Sequence, residues 1–81
     1  MNYSHHLYLH DAEIVKTELN EFWLCRLLQG RATMLFEQSE YELKKGTVFV
    51  VPEGIRFKLL SDTPDMELET IVFQVQMMNV V

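Results

Sequence analysis

The sequence predicts an all-β domain, a small antiparallel β-barrel or jelly-roll. Apolar and polar residues alternate with period two along much of the chain, the pattern of half-buried antiparallel strands. The few Gly and Pro residues fall between those runs, where turns belong. Eighty-one residues, 48% of them apolar, form one domain over 1–81. A chain of this length buries roughly 60–65% of the surface its unfolded form exposes. That core has little to spare, so self-association, with a homodimer as the expected state, would help it.

The segment from Asp11 to Gly30 has two readings. Ala12, Val15, Leu19, Phe22, Trp23 and Leu27 fall on one helical face, with Asp11 as a cap and Gly30 as a stop. Against a helix, Phe22 to Leu28 is apolar almost throughout and opens on β-favouring aromatics. Strand is the reading adopted. It puts Trp23, Cys25 and Leu27 on one face and Phe22, Leu24 and Leu28 on the other.

After Gly30, Ala32, Met34 and Phe36 alternate with Arg31, Thr33, Leu35 and Glu37. Gln38-Ser39-Glu40 reads as a hairpin turn. Tyr41 and Leu43 then alternate with Glu42 and Lys44. Val48 to Val51 is apolar on both faces, as a central strand would be. Ile55, Phe57 and Leu59 oppose Arg56 and Lys58, and a turn follows at Ser61 to Asp65. In the last strand, Met66 to Met77, Met66 and Leu68 alternate with Glu67 and Glu69, but beyond Thr70 the apolar set becomes Ile71, Phe73 and Val75. A β-bulge or bend near Thr70 would cause that slip.

Composition excludes several functions. The net charge is -5, and the seven Lys and Arg are scattered, whereas nucleic-acid binders carry a basic patch. The single cysteine rules out an intrachain disulfide or a cysteine zinc cluster and fits a reduced, cytoplasmic setting. The N-terminus lacks the order of a signal peptide, and no apolar run approaches the ~20 residues of a membrane helix. No P-loop, dinucleotide fingerprint or nucleophile elbow is present.

Gly46-Thr-Val-Phe-Val-Val-Pro52-Glu-Gly54-Ile-Arg-Phe57 is the most informative stretch. It resembles the second signature of the cupin family, G-x5-P-x-G-x2-H, at Gly46, Pro52 and Gly54; the family's metal-binding His is Phe57 here. The first signature, G-x5-H-x-H-x3-4-E-x6-G, closes on Gly30. Its Glu then falls on Trp23, and its two His on Lys16 and Glu18 or on Thr17 and Leu19. The resemblance covers residues 14–75 and implies a single cupin domain without the family's metal set: one carboxylate, Glu18, does not hold a transition metal without partners. No metal or other cofactor is expected.

Other candidates are weaker. His5, His6 and His10 form the only histidine cluster, and no ligand spacing accompanies them, so a terminal strand or chain end explains them. Cys25 shares a face with Trp23 and Leu27, while Arg26 points away, so a buried inert thiol is expected. Asp62, Asp65, Glu67 and Glu69 divide between a loop and a solvated strand face. Paired-carboxylate catalysis would need two of them to converge.

Trp23 and Phe57 stand where catalytic cupins face their metal. With Cys25, Met34, Phe36 and Leu59 they are the candidate ligand-binding residues. They either line a pocket for a sugar ring or an aromatic acid, or fill the barrel. Leu27-Leu-Gln-Gly30, Tyr41-Glu-Leu-Lys-Lys-Gly46 and Val51-Pro52 are similar to the N-terminal sensor domain of AraC-type transcription regulators. That resemblance implies a non-catalytic, dimerising domain for a small-molecule effector, a sugar in many members. DNA would be read only by a domain outside this chain. A stand-alone cupin enzyme, an isomerase or metal-dependent oxygenase, is the alternative, and an interaction module built on Phe22, Leu24 and Leu28 is a third reading.

Overall fold

The computed structural model describes residues 2–8 and 12–74. These form eight strands: β1 (Asn2–Tyr8), β2 (Glu13–Lys16), β3 (Glu21–Gln29), β4 (Ala32–Phe36), β5 (Ser39–Leu43), β6 (Val48–Val51), β7 (Phe57–Ser61) and β8 (Met66–Gln74). All pairings are antiparallel. One sheet has the order β1-β8-β3-β6 and the other β2-β7-β4-β5. Only the β4–β5 hairpin joins neighbours within a sheet; every other connection crosses between sheets. The result is a jelly-roll-like sandwich. No helix among the described residues is long and apolar enough to cross a membrane.

Alternation dictates what lies between the sheets. Cys25 and Leu27 from β3, Val51 from β6, and Met66 and Leu68 from β8 meet Ala32, Leu43, Phe57 and Leu59 from the second sheet. Leu27, Leu59, Ala32 and Met66 are fully enclosed. The segment with two readings is extended, as β2 and β3, but Leu19 and Asn20 form a turn that sends the two strands into different sheets.

At one end of the sandwich, the turn at Gly30 locks against the β7–β8 connection. The Arg31 N–H donates to Thr63 Oγ1 (2.9 Å), and the Asp62 N–H donates to the Arg31 carbonyl (3.0 Å). Gly30 has φ +86°, a conformation open to glycine at little cost.

Three expectations need correcting. The hairpin turn lies at Glu37 and Gln38, with Glu37 at φ 56°, so Ser39 and Glu40 already pair as strand. β6 is an edge strand, and Val48 and Val50 are about half exposed or more (60% and 49%). There is no slip at Thr70: the β3–β8 register runs unbroken from Gln74 to Leu68, and the irregularity sits on β3 between Leu27 and Gln29. Thr70 therefore stays inside, and Ile71 and Phe73 point outward. Val75 and Met77 lie outside the described residues.

The two latter corrections share one cause, an apolar outer face on the first sheet. Tyr3, Ile71, Leu24 and Val50 form a row across all four strands. Beside it Phe22 meets Phe73 edge-on, ring centroids 5.9 Å apart. An apolar residue thus marks neither the inner face nor a central strand here.

Candidate functional site

The site is built at the end of the sandwich opposite Gly30, where the β2–β3 and β6–β7 connections cross side by side. Lys16 ends β2, opposite Phe57 in the β2–β7 ladder. Its side chain is enclosed, 1% exposed. An ammonium buried this way needs acceptors. Nζ donates to the carbonyls of Ile55 (2.7 Å), Glu18 (3.0 Å) and Pro52 (3.5 Å). The Gly54 N–H adds a 2.6 Å bond to the Leu19 carbonyl. Lys16 therefore clasps the Pro-x-Gly turn to the β2–β3 connection.

That clasp positions the aromatic pair. Trp23, on the inner face of β3, meets Phe57 edge-on, with centroids 5.5 Å apart and planes at 90°, a geometry favoured by ring quadrupoles. Trp23 Nε1 donates to Glu21 Oε1 (3.1 Å). Beside Phe57 a half-open cavity of about 280 Å³ lies between the sheets. Met34, Phe36 and Phe57 form its wall in the second sheet, with Val51, Pro52 and Ile55 across from them.

Of the six residues singled out from the sequence, Met34, Phe36 and Phe57 line this cavity, and Trp23 backs it through Phe57. Cys25 and Leu59 do not reach it; they are packed in the core at 1% and 0% exposure. Burial pushes the Cys25 thiol up to about 11, against a small opposing effect of the Thr70 hydroxyl 3.7 Å away. At neutral pH it is a protonated, inert group. Gly30, Gly46 and Gly54 all take positive φ at turns between the sheets, and Pro52 opens the turn that carries Gly54.

The remaining polar candidates disperse. His5 and His6 alternate across β1 and point to opposite faces; His5 Nε2 lies 3.2 Å from Glu67, and the His6 ring meets Tyr8 at a tilt of 60°. His10 lies outside the described residues. Glu69 pairs with Arg26 (2.7 Å) and accepts the Tyr3 hydroxyl (2.5 Å). The Tyr3 hydrogen bond, with Arg26 adding to it, holds the Glu69 carboxyl below the usual range. Asp62 accepts from Thr33 Oγ1 (2.5 Å). Each acid on the acidic run that has a partner serves a separate one.

No protein-family model matches the chain, and no curated protein does either. Solved structures do. The Cnp3 cupin domain of Schizosaccharomyces pombe superposes with a TM-score of 0.80 at 20% identity, over 90% of this chain and 55% of that one. The fold is the cupin fold. KdgF from Halomonas sp. gives 0.75 at 15% identity, over 88% of this chain and 66% of that one. A cupin superfamily protein from Desulfitobacterium hafniense DCB-2 gives 0.77 at 15%, over 91% and 66%. The chain thus spans about half to two thirds of the cupins it resembles.

A cupin metal would need His and Glu at the positions that Trp23, Phe57 and the Lys16 to Leu19 segment occupy here. These residues do not fit one. Trp23 and Phe57 bring a ring contact in place of donors, and the Lys16 ammonium already fills the space among three carbonyls with its own charge. Among the described residues no three His, Cys, Asp or Glu side chains come together as a ligand set. Lys16 is the residue that sequence reasoning missed as structurally central. Its acceptors lie at 18, 52 and 55, so no local pattern marks it.

Proposed function

We propose that this domain is a non-catalytic regulatory module that senses a small molecule in the cavity at Met34, Phe36 and Phe57 and associates with a second copy of itself, in the manner of the sensor domain of AraC-type regulators. The observation that carries the reading is the apolar cavity beside Trp23 and Phe57, at the positions where a cupin enzyme would bind metal. Small, largely preformed apolar cavities are the usual form of small-molecule sites. The acidic charge fits a role in which any DNA contact belongs to a different domain.

Thermal-shift screening of a small-molecule library, with elemental analysis of the same preparation, tests the sensing reading. The expected outcome is a saturable rise in Tm with some compound and metal far below one per chain. Stoichiometric Fe, Mn, Ni or Zn would instead support the enzyme reading, an isomerase or oxygenase, which the cupin fold alone also permits.

Self-association is assigned to the outer face of the first sheet. The Tyr3-Ile71-Leu24-Val50 row and the Phe22–Phe73 pair make a continuous apolar surface of the kind that marks protein contacts. Sedimentation at micromolar concentration should show a dimer, and Leu24→Asp should give a monomer. A wild-type monomer under these conditions would remove this part of the reading.

A further inference from the structure

We infer that the cavity selects a small, neutral, apolar ring compound rather than a sugar or an aromatic acid; this rests on the sensing reading above and specifies its ligand class. The walls are hydrocarbon, thioether and phenyl: no lining side chain can make a strong hydrogen bond. The turn carbonyls and the indole N–H beside the cavity are already engaged. Two of the lining residues, Pro52 and Ile55, give their carbonyls to the Lys16 ammonium, and Pro52 has no N–H. Trp23 directs its indole N–H to Glu21. A sugar seated here would bury hydroxyls without partners, at about 1–3 kcal/mol for each unsatisfied group.

A carboxylate fares no better. Outside the cavity the mouth continues past Phe36 and Ile55 into an open depression lined by both Glu37 and Arg56. One acid and one base at the rim give no net attraction to an anion, and the interior holds no cation to receive one.

Size sets the other bound. A dry apolar cavity of about 150 Å³ accommodates benzene. The cavity here, about 280 Å³, suits a substituted single ring or a compact bicycle. Such a ligand would sit against Phe57 and the flexible Met34 thioether, which adapts to irregular shapes and favours aromatic edges.

Three probes of similar size separate the classes: ethylbenzene, benzoate and L-arabinose, each tested by thermal shift on the wild-type chain and on Phe36→Asp. Phe36 ends β4, borders both the cavity and the depression at its mouth, and stands outside the buried core cluster, so this variant should fold while placing a carboxylate at the mouth. Ethylbenzene in roughly twentyfold excess over its Kd should raise Tm by at least ~5 °C. The Phe36→Asp variant should bind it about tenfold more weakly, and benzoate and L-arabinose should leave Tm unchanged. If benzoate or L-arabinose stabilises the protein and ethylbenzene does not, the ligand class is wrong while the sensing reading stands. If no compound of any class stabilises it, both fall together. Equal ethylbenzene binding by wild type and Phe36→Asp would place the ligand elsewhere and overturn the inference.

Discussion

Lys16→Met is expected to destabilise the domain by about 2–4 kcal/mol, more than any other substitution of a charged residue in the described chain. The methionine matches the length of the lysine but offers no proton to the carbonyls of Ile55, Glu18 and Pro52. Two effects compete. Removing a buried charge relieves its desolvation, which can make replacement of a whole buried ion pair neutral. Here only the cation is replaced; the three carbonyls remain turned inward without a donor. Hydrogen bonds to charged groups are worth about 1.5–3 kcal/mol each in net terms, and the 2.7 and 3.0 Å bonds are the short ones. The loss of acceptor pairing therefore wins. For a domain of this size the drop corresponds to roughly 10–30 °C in Tm, read by thermal or urea denaturation. A variant within 0.5 kcal/mol of wild type, on the order of an ordinary surface substitution, would show that the clasp contributes nothing.

Gly30→Ala is the second large effect, at about 2–4 kcal/mol from strain and overlap combined. A Cβ on Gly30 would lie 2.6 Å from Thr63 Oγ1 and 3.1 Å from the Met66 Cα. Thr63 has little freedom to retreat, since its Oγ1 accepts the Arg31 N–H and its carbonyl accepts the Ser61 hydroxyl (2.7 Å). Met66 is fully enclosed, and its backbone belongs to β8. Gly46 and Gly54 make the internal comparison. Both have positive φ, but a Cβ at either meets nothing within 4 Å. Their alanine variants should lose only the backbone preference, about 1 kcal/mol. Urea denaturation of the three variants should rank Gly30→Ala well below the other two. Equal losses at all three positions would mean that the two inter-sheet turns do not interlock as described.

Much of this fold was legible in the sequence because a strand's side chains alternate whatever their identity. Trp23, Cys25 and Leu27 on one side of β3, and Ala32, Met34 and Phe36 on one side of β4, follow from period two alone. What misled was the assumption that apolar means inside. Val48, Val50, Ile71 and Phe73 are apolar and face outward on the first sheet. Reading them as buried made β6 central and demanded a bulge at Thr70. The short β4–β5 turn was displaced for a different reason. Glu37 takes a left-handed conformation with no Gly or Asn to announce it.

The candidate site was legible at the level of position and not of depth. The spacing that set Trp23 and Phe57 apart did mark two residues that meet in space. Alternation could not tell Leu59 and Cys25, which are sealed in the core, from Met34 and Phe36, which border the opening. That difference depends on how far along each strand the two sheets stay in contact. Lys16 was invisible for a similar reason, since an ammonium is caged only once distant carbonyls are brought to it.

The most direct test of the central claim uses the chain's single tryptophan. Trp23 lies edge-on to Phe57, and Phe57 forms the wall of the cavity. Its emission should change saturably on titration with any compound that raises Tm, with the same Kd from both readouts. A compound that stabilises the protein while leaving Trp23 emission untouched would contradict the assignment of this cavity as the sensing site.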